Sequence, residues 1–174
     1  MSTMSTAPRT ATSKAYDELI RRVRETHLID STGQLLGWDQ EVFMPEGGVA
    51  YRSDQLALLA RLAHESFTDP AVGDLIDECA ADRTLTADPL APTAVNIREL
   101  RRDFDRRTKL PAALVEEEAR LSSLGQHVWR EARAKSDFAV FRPTLEKIVD
   151  MVRRKAACYG WAKGGEPWDA LAED

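Results

Sequence analysis

Seven apolar residues, Phe138, Phe141, Leu145, Ile148, Val152, Ala156 and Tyr159, follow one another in steps of three or four. Only an α-helix gathers such a series onto one side. The same spacing recurs in Tyr16, Leu19, Ile20, Val23 and His27, in Leu56, Leu59, Ala60, Ala63 and Phe67, and in Val72, Leu75, Ile76 and Cys79. It returns in Ile97, Leu100 and Phe104, and in Leu114, Leu121, Leu124 and Val128. Alternating β-branched runs, the mark of strands, are absent. The pattern predicts an all-α fold, an irregular bundle of about six helices.

Punctuation between these stripes sets the expected boundaries. The first helix starts near Ser13 and can continue through Leu35 and Leu36, although Gly33 weakens it. Trp38 to Val49 reads as a loop, with Pro45 ahead of Gly47 and Gly48. Asp69 followed by Pro70 is a cap-and-start signal, which Asp88 and Pro89 repeat, and Pro111 opens a further helix. Residues 1–13 are rich in Ser, Thr and Ala, carry one charge at Arg9, and read as a disordered leader without the apolar segment of a secretory signal. Residues 14–174 form the helical region.

Charge narrows the partners. The chain of 174 residues has 24 basic and 29 acidic side chains, a net charge of -5. Nucleic acid and anionic membranes both call for a basic footprint, so neither is expected as a partner. No apolar run approaches the ~20 residues of a membrane span. Two cysteines, Cys79 and Cys158, form no CxxC pattern and read as buried small hydrophobes in a reducing, cytoplasmic protein.

Three segments could carry chemistry. His64-Glu65 begins like a zinc helix, but Thr68 stands where the second imidazole of His-Glu-x-x-His belongs. His64 therefore reads as a helix-terminal residue whose partial positive charge suits the carboxyl end. The segment from Trp38 to Gly48 holds Asp39, Glu41 and Glu46, with Trp38 and Phe43 as packing anchors and Asp39 as a cap. A metal-free acid–base site would need Asp39 and Glu41 in one pocket with unequal proton affinities. Arg98 to Arg107 interleaves bases with acids and reads as a solvated helix face. Trp129, Trp161 and Trp168 are expected as core or interface anchors.

Ordered motifs go further. Leu35-Leu36-Gly37-Trp38-Asp39-Gln40-Glu41-Val42-Phe43-Met44-Pro45-Glu46-Gly47-Gly48, then Arg52, Gln55 and Leu56, then Leu62-Ala63-His64-Glu65, resemble the amino-terminal part of carboxypeptidase Taq. Leu110-Pro111, Trp129 to Arg133, Asp137-Phe138, Phe141-Arg142-Pro143, Leu145-Glu146 and Trp168-Asp169-Ala170-Leu171 are similar to later stretches of that family, in the same order. The resemblance runs from Ala15 to Asp174. It implies a helical metallopeptidase fold with a deep cleft, which removes carboxyl-terminal residues from peptides, generally as a homodimer. In the family, Zn2+ sits on two histidines of an HExxH helix and a downstream glutamate. Those motifs lie beyond this chain, and His64-Glu65 matches another position. No catalytic residue, metal ligand or bound cofactor is therefore expected here, and the chain alone is expected to be inactive, as a fragment or truncated product. What carries over is Trp38, Asp39, Met44, Pro45, Gly47, Gly48 and Arg52, as a segment that lines or braces the cleft. Expected partners are the missing catalytic portion or a full-length relative, and peptide only in the intact enzyme. The alternative is a stand-alone helical interaction module that pairs with itself or with a relative. In such a module the Trp161 to Leu171 tail is a candidate apolar surface for a partner; alternatively it folds back and covers the seam.

Overall fold

The computed structural model describes residues 13–172. Among them seven α-helices follow one another with no strand: α1 (Lys14–Val42), α2 (Val49–Phe67), α3 (Pro70–Ala81), α4 (Arg83–Thr86), α5 (Pro92–Arg107), α6 (Ala112–Lys135) and α7 (Phe138–Tyr159). A 3-10 turn, Glu46–Gly48, precedes α2. The expected leader lies outside the described residues except for Ser13, whose Oγ accepts the Tyr16 N–H at 3.2 Å and caps α1.

Of two further caps, Asp69 was expected from the sequence and Asp137 was not. Asp69 accepts the Ala71 N–H at 2.8 Å beside Pro70, and Asp137 accepts the Ala139 N–H at 2.9 Å. Asp88-Pro89 does not start a helix. The Asp88 carboxylate takes the Leu90 N–H at 2.9 Å and closes a local turn, and α5 opens at Pro92. The short α4 escaped the periodicity because four residues cannot display it; Asp82 caps it through the Thr84 N–H at 2.8 Å.

The apolar residues gather in two clusters. In the first, Tyr16 and Leu19 of α1 meet Val72, Ile76 and Cys79 of α3, Leu85 of α4 and Ile97 of α5. In the second, Leu110 and Leu114 at the start of α6 meet Met151 of α7, with Cys158 and Tyr159 packed alongside. α2 runs between them and packs on both α1 and α6. Where α1 crosses α2 the buried Thr26 hydroxyl bonds Ser66 Oγ at 3.0 Å, so the crossing hides no unsatisfied hydroxyl.

The seam expected along α7 is only partly covered. Of that stripe Ala156 is buried, with Met151 beside it outside the stripe, but Phe138 is 61% exposed. Periodicity put these residues on one face, but at the first turn of α7 Phe138 and Phe141 share an open pocket with Trp129, Ala132 and Arg133 of α6. Trp129, Trp161 and Trp168 also stand at the surface rather than in the core. The tail folds back: Gly160 turns the chain at φ +74°, and Ala170 is buried. Arg106 Nη2 donates to the Ala170 carbonyl at 3.1 Å while its guanidinium lies 3.8 Å from the centre of the Tyr159 ring.

Packing in the core demands glycine at position 73. A Cβ on Gly73 would sit 2.9 Å from Phe104 Cζ, in the first cluster. Gly125 of α6 has ordinary clearance, with the nearest atom, Ile148 Cδ1, at 3.4 Å. Gly73→Ala is therefore expected to destabilise by about 1–3 kcal/mol. Gly125→Ala should stay within about 1 kcal/mol of the parent, because the gain in helix propensity offsets slight crowding. Urea unfolding of the two variants separates the cases.

Candidate functional site

The segment from Trp38 to Val42 is helix, not loop: α1 runs unbroken through Gly33 and Gly37 to Val42. It stops where Phe43 and Met44 both donate their N–H groups to the Asp39 carbonyl at 2.9 Å, just ahead of Pro45. The Asp39 side chain is thus free of capping and holds Arg52. The Arg52 guanidinium donates to Asp39 Oδ2 at 2.6 Å, to the Leu36 carbonyl at 2.5 Å and to Gln55 Oε1 at 3.1 Å. With only 12% of its side chain exposed, Arg52 locks the end of α1 onto the start of α2. Pro45 accepts the Gly48 N–H at 2.8 Å, and Met44 packs so closely that a Cβ on Gly48 would lie 3.2 Å from Met44 Cγ. Gly47 faces open space. Trp38 and Phe43 are not buried anchors. They are 54% and 70% exposed and touch edge to face at 5.5 Å.

Beside this clamp lies a groove of about 580 Å³ between α1, α2 and α6. Gly33, Gly37, Ala60 and Ala119 keep its walls low, Trp38 and Glu41 stand at one end, and Asp30 lies along α1. Its floor is polar. Buried Gln40 donates to Gln126 Oε1 at 3.1 Å and accepts the Ser123 hydroxyl at 2.7 Å. The hydrogen-bonded amide fixes α1 against α6 and leaves the groove with amide groups along its base. Of the segment singled out by sequence, the structure brings Trp38 to the groove and Asp39 with Arg52 to the clamp. Met44, Pro45, Gly47 and Gly48 form the turn below.

Asp39 and Glu41 do not form an acid–base pair. Two positions apart on a helix, they point to different sides. Asp39 binds Arg52, and Glu41 pairs with Arg130 of α6. His64 also departs from expectation. It is 7% exposed, and its Nε2 lies 2.9 Å from the Leu110 carbonyl. Burial and the nearby Arg107 hold its proton affinity below the ordinary value, against the opposing pull of Leu110 and Glu65. The ring is a neutral core hydrogen-bonder, not a cation favoured by the helix end. Burial likewise pushes the Cys79 thiol up, away from nucleophile chemistry. Among the described residues no three His, Cys, Asp or Glu side chains converge to hold a metal ion. The residues present do not make up a zinc donor set. No described helix is long and apolar enough to cross a membrane.

The sequence profile of the carboxypeptidase Taq (M32) metallopeptidases matches residues 18–174. The chain belongs to this family. It is 35% identical over 166 residues to thermostable carboxypeptidase 1 of Thermus thermophilus, covering 91% of this chain and 32% of that protein. It is 30% identical over 163 residues to thermostable carboxypeptidase 1 of Pyrococcus furiosus, covering 92% and 31%. Metallocarboxypeptidase 1 of Trypanosoma cruzi superposes with a TM-score of 0.65 at 30% identity, covering 91% of this chain and 31% of that one. The crystal structure of BsuCP gives a TM-score of 0.81 at 24% identity, with 91% and 31% covered, which supports the fold. The chain therefore spans about a third of the length of the M32 relatives it matches, and it corresponds to their amino-terminal portion.

The groove floor and the Arg130 partner of Glu41 were not foreseen. Both depend on α1 continuing past Gly37, and Gln40, seven residues beyond Gly33, falls on the same helical side only then. Two outcomes are expected. Arg52→Ala should destabilise by about 1.5–3 kcal/mol through its charged hydrogen bonds, and a double-mutant cycle with Asp39→Ala should show coupling. His64 binds its proton less readily folded than unfolded. Its contribution is thus complete above pH 6.5, the ordinary value, and is lost as pH falls below it. Urea titrations from pH 8 to 5 on the parent and on His64→Gln should show that loss only in the parent.

Proposed function

We propose that this chain builds the amino-terminal wall of the peptide cleft of an M32-type zinc carboxypeptidase, in the cytoplasm, and leaves the metal chemistry to the remainder of the fold. The observation that carries this reading is the family match over residues 18–174 at about a third of the relatives' length. The donor inventory supports it, since His64, the one histidine in a zinc-like motif, is committed to the Leu110 carbonyl. The Arg52 clamp and the groove give Trp38, Asp39, Met44, Pro45, Gly47 and Gly48 a bracing role: they hold the end of α1 and present one wall of small residues.

Complementation tests the proposal. The chain alone should show no carboxypeptidase turnover and no stoichiometric zinc. Mixed or co-expressed with the complementary two thirds of the Thermus thermophilus relative, it should restore zinc-dependent release of carboxyl-terminal residues. Arg52→Ala should lower that restored turnover. Turnover by the chain alone, abolished by His64→Ala, would overturn the reading. A second reading, an interaction module, is favoured by one observation: the large apolar side chains that α1 turns away from the bundle.

A further inference from the structure

The groove between α1, α2 and α6 carries an acid towards each end and no lysine, arginine or histidine in its lining. Asp30 and Glu41 are eleven positions apart on α1, about three turns. Both carboxylates therefore lie on the same side of the helix, roughly 16 Å apart along its axis. Gly33 and Gly37 stand between them and keep the track open. Glu41 is paired through Oε2 with Arg130, which is not part of the lining. Asp30 is different. It is half-buried, and among the described residues its carboxylate has neither an ion pair nor a hydrogen bond. Ile29, Leu56 and Leu59 line the same groove and take part of its water away, a cost that a cation would offset.

Between the acids the surface changes character. The apolar walls suit methylene groups, and the floor supplies oxygens that suit N–H donors. Gln126 Oε1 accepts from Gln40, and Gln40 Oε1 accepts from Ser123, so each keeps a second lone pair. At the Glu41 end Trp38 offers a half-exposed ring, a surface that attracts alkylammonium groups. We propose that this groove binds a linear aliphatic polyamine, with one terminal ammonium on Asp30 and the other between Glu41 and Trp38. Its methylenes lie against Ile29, Leu56 and Leu59, and its interior nitrogens donate to Gln40 and Gln126. Extended spermine has thirteen bonds between its terminal nitrogens and, at roughly 1.25 Å of rise per bond, is about 16 Å long. That matches the separation of the two acids. A lysine side chain has one ammonium on a four-carbon stem and satisfies one end only. The acids stand too far apart to share a metal ion. This goes beyond the cleft-wall reading and does not rest on it.

Calorimetric titration of the full chain with spermine at neutral pH and low salt tests the proposal. One-to-one binding is expected, with putrescine, which is too short to reach both acids, about tenfold weaker or more. Asp30→Asn should raise the Kd for spermine about tenfold or more, with an unchanged melting curve, because its carboxylate holds nothing in the fold. Asp74→Asn removes an exposed carboxylate of α3 that is also unpaired among the described residues, and should leave Kd as it is. Of the four tryptophan indole N–H signals, only that of Trp38, assigned with Trp38→Phe, should move during the titration. Equal losses from Asp30→Asn and Asp74→Asn would reduce the binding to net charge and overturn the proposal. Absence of saturable binding, several spermine molecules per chain, or signal changes at Trp129, Trp161 or Trp168 in place of Trp38 would also overturn it. A lysine-containing peptide that binds through Asp30 as tightly as spermine would do the same, and would give the groove to peptide. All of this is read on the chain alone, so failure here is distinct from failure of the complementation expected for the cleft wall.

Discussion

A buried junction on α2 ties the two halves of the bundle together. His64 of α2 reaches the Leu110 carbonyl ahead of α6, and Phe67, one turn on, sits under the Arg107 guanidinium at 4.7 Å and beside Phe104 at 6.3 Å. Phe104 and Arg107 belong to α5 and Leu110 to the link before α6, so the junction fixes α2, the end of α5 and the approach to α6 at once. Neither apolar cluster is large. A neutral imidazole at the join can satisfy a carbonyl without bringing a charge into the core, which a protonated ring could not do at the same cost. Arg106 extends the link outward by holding the tail at Ala170.

The second constraint is the length of α1. Its amino-terminal half is buried in the first cluster through Tyr16 and Leu19, and its carboxyl-terminal half projects along α2 and α6. A helix of 29 residues is about 44 Å long, more than one cluster can cover. The far half is therefore held by polar contacts: Thr26 with Ser66, Gln40 with Ser123 and Gln126, and Arg52 with Asp39. Such contacts fix geometry with less dependence on apolar burial. They leave Gly33 and Gly37 open to the groove, a wall against which another backbone can come close.

The helices that could be read from sequence were those with long stripes and local caps. Ser13, Asp69 and Asp137 cap within their own turns, so α1, α3 and α7 begin where periodicity places them. The misread segment, Trp38 to Val42, fails for a physical reason. Its helix is maintained by Arg52 and Gln40, whose partners lie 13 to 86 residues away, while its local composition of glycine and aromatics points to a loop. His64 follows the same logic, since its burial is decided by Leu110, 46 residues on. The family resemblance singled out the segment from Trp38 to Arg52. It did not reveal that Trp38, Asp39 and Gln40 serve a groove, a clamp and a floor in turn.

That division follows from helix geometry. Successive residues point about 100° apart, so three neighbours on one helix address three different surroundings. On α1 the inward side is committed to α2 and α6, the flank carries the clamp, and the outer side carries Leu28, Leu35 and Val42. A helix apolar on both sides is ordinarily buried on both. Only the inner side is buried here. The exposed side chains of Leu28, Leu35 and Val42 therefore add little to the stability of the isolated fold.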